Sequence, residues 1–124
     1  MGAWGIPGPI FLAAYRCGAA MHSATYLTNG TFHNEMDLDY CNYCVLFGNQ
    51  AGFMVGLAPN IMSQKMAEAR ARGMKLVVID PFCTNAGAKA DEWIPIRPGT
   101  DGAMALAMLH VLLNEEKIYD TEFL

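Results

Sequence analysis

Lys75-Leu-Val-Val-Ile-Asp-Pro81, followed after a polar gap by Ile94-Pro-Ile-Arg-Pro-Gly-Thr-Asp101, is the stretch that decides the fold. Residues 76–79 are four consecutive apolar positions between Gly73 and Asp80-Pro81, the pattern of a short strand buried on both faces in a parallel sheet. Pro81 has no N–H with which to continue a ladder, so Asp80 stands at the strand's carboxyl end. A second apolar run, 93–96, precedes Pro98-Gly99-Thr100-Asp101. A long apolar helix is expected over 102–114, with Thr100 or Asp101 as its cap. In open α/β sheets, ligands bind outside the carboxyl ends of parallel strands, near helix starts. The block therefore predicts a binding edge as well as a core.

Upstream, residues 43–47 are expected to form a strand that ends at Gly48-Asn49-Gln50. A helix over 59–72 follows and is stopped by Gly73. Met62, Met66 and Ala69 form its apolar stripe, and Arg70 and Arg72 oppose the negative end of its dipole. Strand, helix and strand across 43–79 make a βαβ unit with parallel strands. The 93–96 strand extends the same sheet. Helix 102–114 is expected to cover it and to be largely buried, with His110 as a core histidine. Residues 1–12 are rich in Gly and Pro and read as irregular chain, and a helix over 16–27 ends at Asn29-Gly30. The fold class is α/β: a Rossmann-like parallel sheet with crossover helices, incomplete as expected for a fragment of a larger multidomain subunit.

With 124 residues, 53% hydrophobic and 16% charged, the chain can bury a real core, which argues against disorder. A formal charge of −4 without a Lys/Arg cluster along any helix argues against nucleic acid as a partner. Ile10-Phe-Leu-Ala-Ala14 falls far short of the ~20 apolar residues of a membrane span, so this segment is expected not to insert into a membrane. No basic region of a signal peptide precedes it. Cys17, Cys41, Cys44 and Cys83 follow no disulfide scaffold and are expected to be reduced. Cys41-Asn-Tyr-Cys44 has no second ligand pair nearby for zinc or an iron–sulfur cluster. The nine methionines, among them Met62, Met66, Met104 and Met108 at helical spacing, are expected to fill the core.

With parallel strands, three loops should meet at one sheet edge. They are Gly48, Asn49 and Gln50; Asp80, Pro81 and Phe82; and Arg97 with Gly99, Thr100 and Asp101. Gly48 lets a ligand approach the backbone, while Asn49 and Gln50 offer paired donors and acceptors. A carboxylate at Asp80 or Asp101 suits a ribose hydroxyl or the N1–H and amine of guanine, and Arg97 suits a diphosphate. Each also has a plain reading: Asp101 as a cap, Asp80 as a turn former, Arg97 as a solvated charge. No G-x-G-x-x-G and no P-loop sequence is present, which disfavours ordinary NAD or ATP sites.

The order of these features carries a resemblance. Arg16-Cys17-Gly-Ala-Ala20, the strand ending in Gly48-Asn49, Ala67-Glu-Ala-Arg-Ala-Arg-Gly-Met-Lys75, Val77-Val-Ile-Asp-Pro81, Ala90-Asp-Glu-Trp-Ile-Pro-Ile-Arg-Pro-Gly-Thr-Asp101, Ala105-Leu-Ala-Met-Leu-His-Val111 and Ile118-Tyr-Asp-Thr-Glu-Phe123 follow in turn. Over about residues 16–124 this resembles the molybdopterin oxidoreductases of the dimethyl sulfoxide reductase superfamily. The resemblance implies a molybdenum or tungsten ion held between two molybdopterin guanine dinucleotides, with residues 43–113 as an α/β unit that binds part of one dinucleotide through the three loops. It also implies that Cys17 is the catalytic residue and metal ligand, as a cysteine or selenocysteine is in the formate dehydrogenase and periplasmic nitrate reductase branches. Thiolate suits a soft metal centre. The implied chemistry is two-electron redox or oxygen-atom transfer. The implied partners are the rest of the same catalytic subunit, with a 4Fe–4S cluster outside this segment, and an electron-transfer subunit. His22, five residues past Cys17, is a further candidate for a substrate pocket. Two other readings stand beside this one: a non-redox nucleotide-binding α/β module, and a scaffold domain whose loops bind a partner chain.

Overall fold

A computed structural model describes residues 22–32, 34, 36–50, 53 and 60–123. The chain divides into two units, Met1–Asp37 and Leu38–Leu124.

In the first unit, helix α1 spans Ser23–Asn29. Gly30 ends it at φ 68°, its N–H donating to the Tyr26 carbonyl at 3.1 Å, which is the left-handed ending expected of Asn-Gly. The expected helix over 16–27 thus agrees from residue 23 on, and residues 16–21 lie outside the described residues.

In the second unit, β1 (Tyr43–Phe47), α2 (Asn60–Ala71), β2 (Lys75–Ile79) and β3 (Glu92–Ile94) follow the expected order, with a short 3-10 turn at Gly87–Lys89 before β3. The sheet order is β1-β2-β3 and both pairings are parallel, with Val45 opposite Val77 and Val77 opposite Glu92. Central β2 is buried from Leu76 to Ile79, while β1 buries only Cys44 and Leu46. That contrast is the difference between a strand covered on both faces and one that alternates. Met66 and Ala69 of the expected apolar stripe of α2 are buried, and Met62 is half-buried. Gly73, at φ 98°, ends α2 in a Schellman pair: its N–H donates to the Arg70 carbonyl, and that of Met74 donates to Ala69, each at 3.0 Å. Burial pushes the Cys44 thiol up, with Cys41 adding to the shift. No metal-binding group of His, Cys, Asp and Glu occurs among the described residues.

Three expectations need correction. The third strand covers 92–94 instead of 93–96: the last ladder bond runs from the Asp80 N–H to the Ile94 carbonyl, and the Ile96 N–H that would continue the ladder makes no bond to β2. Helix α3 spans Asp101–His110 and continues as a single π-helical turn, Val111–Glu115. It is not largely buried: among the described residues nothing covers it, and Leu106, Leu109, Leu112 and Leu113 all face solvent. Met108 therefore fills no core here, and His110 is exposed, bonded at Nδ1 by the Asn114 amide at 3.2 Å and near Glu115 at 3.6 Å. A helix apolar on all sides is the kind that larger proteins bury, and periodicity alone cannot say what buries it. Among the described residues, no helix is long and apolar enough to cross a membrane.

The amino edge of the sheet is clamped by side chains. Asp91 accepts the Leu76 N–H at 2.8 Å and pairs with the Arg70 guanidinium, while its own N–H donates to the Leu76 carbonyl at 2.9 Å. Arg70 also donates to the Lys89 carbonyl at 3.0 Å, tying α2 to the chain that enters β3. The helix-dipole role expected of Arg70 is thus joined by a structural one. The Leu76 N–H, and after it Arg70, holds the Asp91 carboxyl below the ordinary aspartate range. A carboxyl whose folded pKa is depressed contributes stability above its unfolded pKa of about 4, and that contribution is lost as pH falls through the lower folded value. Asp91→Asn should therefore speed amide exchange in the 74–80 segment of the native protein at about pH 6, and the difference from wild type should shrink as pH falls below the ordinary aspartate range. A difference that stays constant with pH would show that the clamp is not electrostatic.

Candidate functional site

Because β1, β2 and β3 run parallel, their carboxyl ends share one edge, and the loops that follow are the three expected from sequence. The first and second loops are joined where the Gly48 N–H donates to the Ile79 carbonyl at 2.9 Å. The second and third meet at Asp80, whose N–H donates to the Ile94 carbonyl at 3.2 Å and whose carbonyl accepts the Trp93 indole N–H at 2.9 Å.

Asp80 is the one buried charged residue at this edge, 7% exposed. Its Oδ1 accepts the Phe82 N–H at 2.9 Å, closing an Asx turn over Pro81. The turn-former reading is therefore correct, and it leaves the other oxygen available. Oδ2 has no partner among the described residues, and since no buried side-chain oxygen is left unpartnered, it opens to solvent. Phe82 projects outward, 76% exposed.

The third loop turns back at Arg97-Pro98-Gly99-Thr100. Gly99 has φ 81° and the Thr100 N–H donates to the Arg97 carbonyl at 3.2 Å, as in a Pro-Gly turn of type II. The Thr100 hydroxyl donates to that same carbonyl at 2.7 Å. Thr100 therefore occupies the N-cap position of α3 without capping it, and Asp101 is the first helical residue, so the expected side-chain cap is absent. The first amides of α3 stay open, a favourable place for negative charge. The Arg97 guanidinium and the Asp101 carboxylate are exposed and form no hydrogen bond or ion pair among the described residues. Gly48 (φ 53°) and Gly99 both need the left-handed region, and a Cβ at either would meet nothing within 4 Å. The backbone at these two loop tips is bare.

Gly48, Asn49, Gln50, Asp80, Pro81, Phe82, Gly99, Thr100 and Asp101 thus fall on the loops of one edge, and Cys17 lies outside the described residues. His22 belongs to the first unit, where its Nδ1 is 2.5 Å from the Phe32 carbonyl and its ring stacks on Phe32 with centroids 3.8 Å apart. A carbonyl only accepts, so Nδ1 carries the proton. The sequence reading passed over Trp93. The available signal was an indole N–H in a short apolar run, a donor that must find an acceptor other than the ladder.

The chain matches the family model described as molybdopterin oxidoreductase over residues 11–123. It is 38% identical over 88 residues to the thiosulfate reductase molybdopterin-containing subunit of Salmonella typhimurium, covering 71% of this chain and 11% of that one. To acetylene hydratase of Syntrophotalea acetylenica it is 50% identical over 52 residues, 42% of this chain and 7% of the relative. The solved structure of acetylene hydratase from Pelobacter acetylenicus superposes with a TM-score of 0.71 at 30% identity, covering 90% of this chain and 15% of that one. The chain thus spans roughly a tenth of the length of these relatives.

Proposed function

The chain belongs to the molybdopterin oxidoreductase family, and from that premise we propose that its 43–113 stretch holds one guanine dinucleotide of a molybdenum or tungsten bis-molybdopterin cofactor in an oxidoreductase catalytic subunit. The observation that carries this reading is the donor set at one sheet edge. It comprises an open carboxylate oxygen at Asp80, a second carboxylate at Asp101, an unpaired guanidinium at Arg97 and two bare glycine tips. That set fits the group. Asp80 or Asp101 accepts from a ribose hydroxyl or the guanine N1–H and amine; Arg97 and the open amides of α3 face the diphosphate. Gly48, Asn49, Gln50, Pro81, Phe82, Gly99 and Thr100 line the approach. When bound, the cofactor supplies two-electron redox or oxygen-atom transfer, while this chain binds and orients it. Cys17 ligates the metal in this reading, on the strength of the resemblance around Arg16-Cys17-Gly18. Relatives named for thiosulfate reduction and for acetylene hydration share this segment, which fits a part that serves the cofactor and leaves substrate choice to other parts. The exposed leucines of α3 are covered by the rest of the same subunit, which also carries the 4Fe–4S cluster and meets an electron-transfer subunit.

The native enzyme that contains this chain should release GMP on mild acid hydrolysis and contain molybdenum or tungsten. Absence of both would sink the proposal, and a nucleotide without either metal would fit a non-redox nucleotide-binding module. In the same enzyme, Cys17→Ser should change the metal-centre absorption spectrum; an unchanged spectrum leaves Cys17 as a structural thiol.

A further inference from the structure

We infer that Trp93 is a positioning residue that fixes the carboxylate of Asp80 where the second and third loops meet, an inference that rests on the dinucleotide reading for the identity of the ligand. In a parallel ladder, a residue that donates to position j−1 of its neighbour accepts from position j+1. The Asp80 N–H donates to Ile94, so the carbonyl of Asp80 is due to accept the Ile96 N–H. It accepts the Trp93 indole N–H instead, at 2.9 Å, and no Ile96 bond forms. The side chain of β3 has taken over the ladder bond that the Ile96 N–H does not make.

Two consequences follow from this exchange. The chain beyond Ile94 leaves the ladder with β2, and residues 97–100 form their own turn. Meanwhile both peptide groups of Asp80 and its Oδ1 are committed, to Ile94, Trp93 and Phe82, which leaves Oδ2 as the single free acceptor in a fixed place. The ring itself is braced by the buried Gly87, where an added Cβ would lie 3.4 Å from Cδ1 of Trp93 and 3.6 Å from Sγ of Cys83. One fixed acceptor with an exposed aromatic ring, Phe82, beside it suits a planar group that bears N–H donors on its edge, such as a purine base.

The test uses Trp93→Phe in the native enzyme, which keeps an aromatic ring and removes the donor. The half-time of guanine nucleotide loss on dialysis should shorten about fivefold to tenfold, the range of one neutral hydrogen bond. Exchange of the Phe82 amide should quicken, while the Leu76 to Val78 amides keep their protection. Unchanged nucleotide retention in Trp93→Phe overturns the inference, and so does a loss of protection across β2, which would make Trp93 a general fold residue. If the wild-type enzyme holds no guanine nucleotide, the dinucleotide reading fails by itself. The Phe82 amide still decides whether Trp93 fixes Asp80, and unaltered exchange there overturns that as well.

Discussion

Asp80→Asn should strip the nucleotide from the native enzyme while leaving its fold intact. The substitution keeps an amide oxygen to accept the Phe82 N–H, the bond that closes the turn at 2.9 Å, so the loop retains its shape. The second oxygen, the one that opens to solvent, becomes an NH2 group. There it presents donors to a ligand that itself brings donors, and the charge is gone. Hydrogen bonds to a charged group contribute about 1.5–3 kcal/mol, so retention should fall about tenfold to a hundredfold. Guanine nucleotide per mole of enzyme after dialysis measures the effect, and the thermal midpoint should stay within about 1 °C of wild type. A variant that keeps its nucleotide would limit Asp80 to its turn. A variant that unfolds would mean that the carboxylate charge matters to the sheet itself, contrary to the role of the amide oxygen given above.

Leu76→Ala should produce the largest loss of stability. Leu76 is fully buried in the central strand, and both its peptide groups are engaged by Asp91. Truncating a leucine in such a place removes the transfer free energy of its methyl groups and leaves a cavity, together about 2–5 kcal/mol. That is a large share of the total stability of a typical domain, about 5–15 kcal/mol. The opening free energy of β2, read from amide exchange of the 76–79 segment in the native enzyme, should fall by that amount. Ile61, on the exposed side of α2, serves as control: Ile61→Ala should change it by no more than about 0.5 kcal/mol. A small effect at Leu76 would mean that the strand's surroundings collapse readily around the void.

Much of this frame is legible in the sequence because it depends on local signals. Leu76 to Ile79 between a glycine and Asp-Pro gives a buried strand, and Gly73 after a helical stripe gives its entry; both agree with the structure. The three loops at one edge follow from parallel pairing alone. What escaped the sequence is side-chain bonding across distance: the Asp91 clamp spans fifteen residues to Leu76, and the Trp93 bond spans thirteen to Asp80. No periodicity encodes such partners. The burial of α3 was misread for a different reason, since hydropathy records that a helix wants cover and says nothing of where the cover comes from. Thr100 holds the expected N-cap position but makes no cap bond, because its hydroxyl has two acceptable uses and the turn takes it.

β3 is secured by two different means. At its amino end Asp91 and the Arg70 guanidinium of α2 fasten it, and from its middle the Trp93 indole reaches the Asp80 carbonyl just past the end of β2, in a strand of only three residues. The fastening at one end owes nothing to the loops at the other. The register of the sheet therefore does not depend on residues 95–100, because no ladder bond runs through them. A short strand with side-chain fasteners thus separates two jobs: the frame is held by residues before and within β3, and the loop that follows it is left to take its own shape.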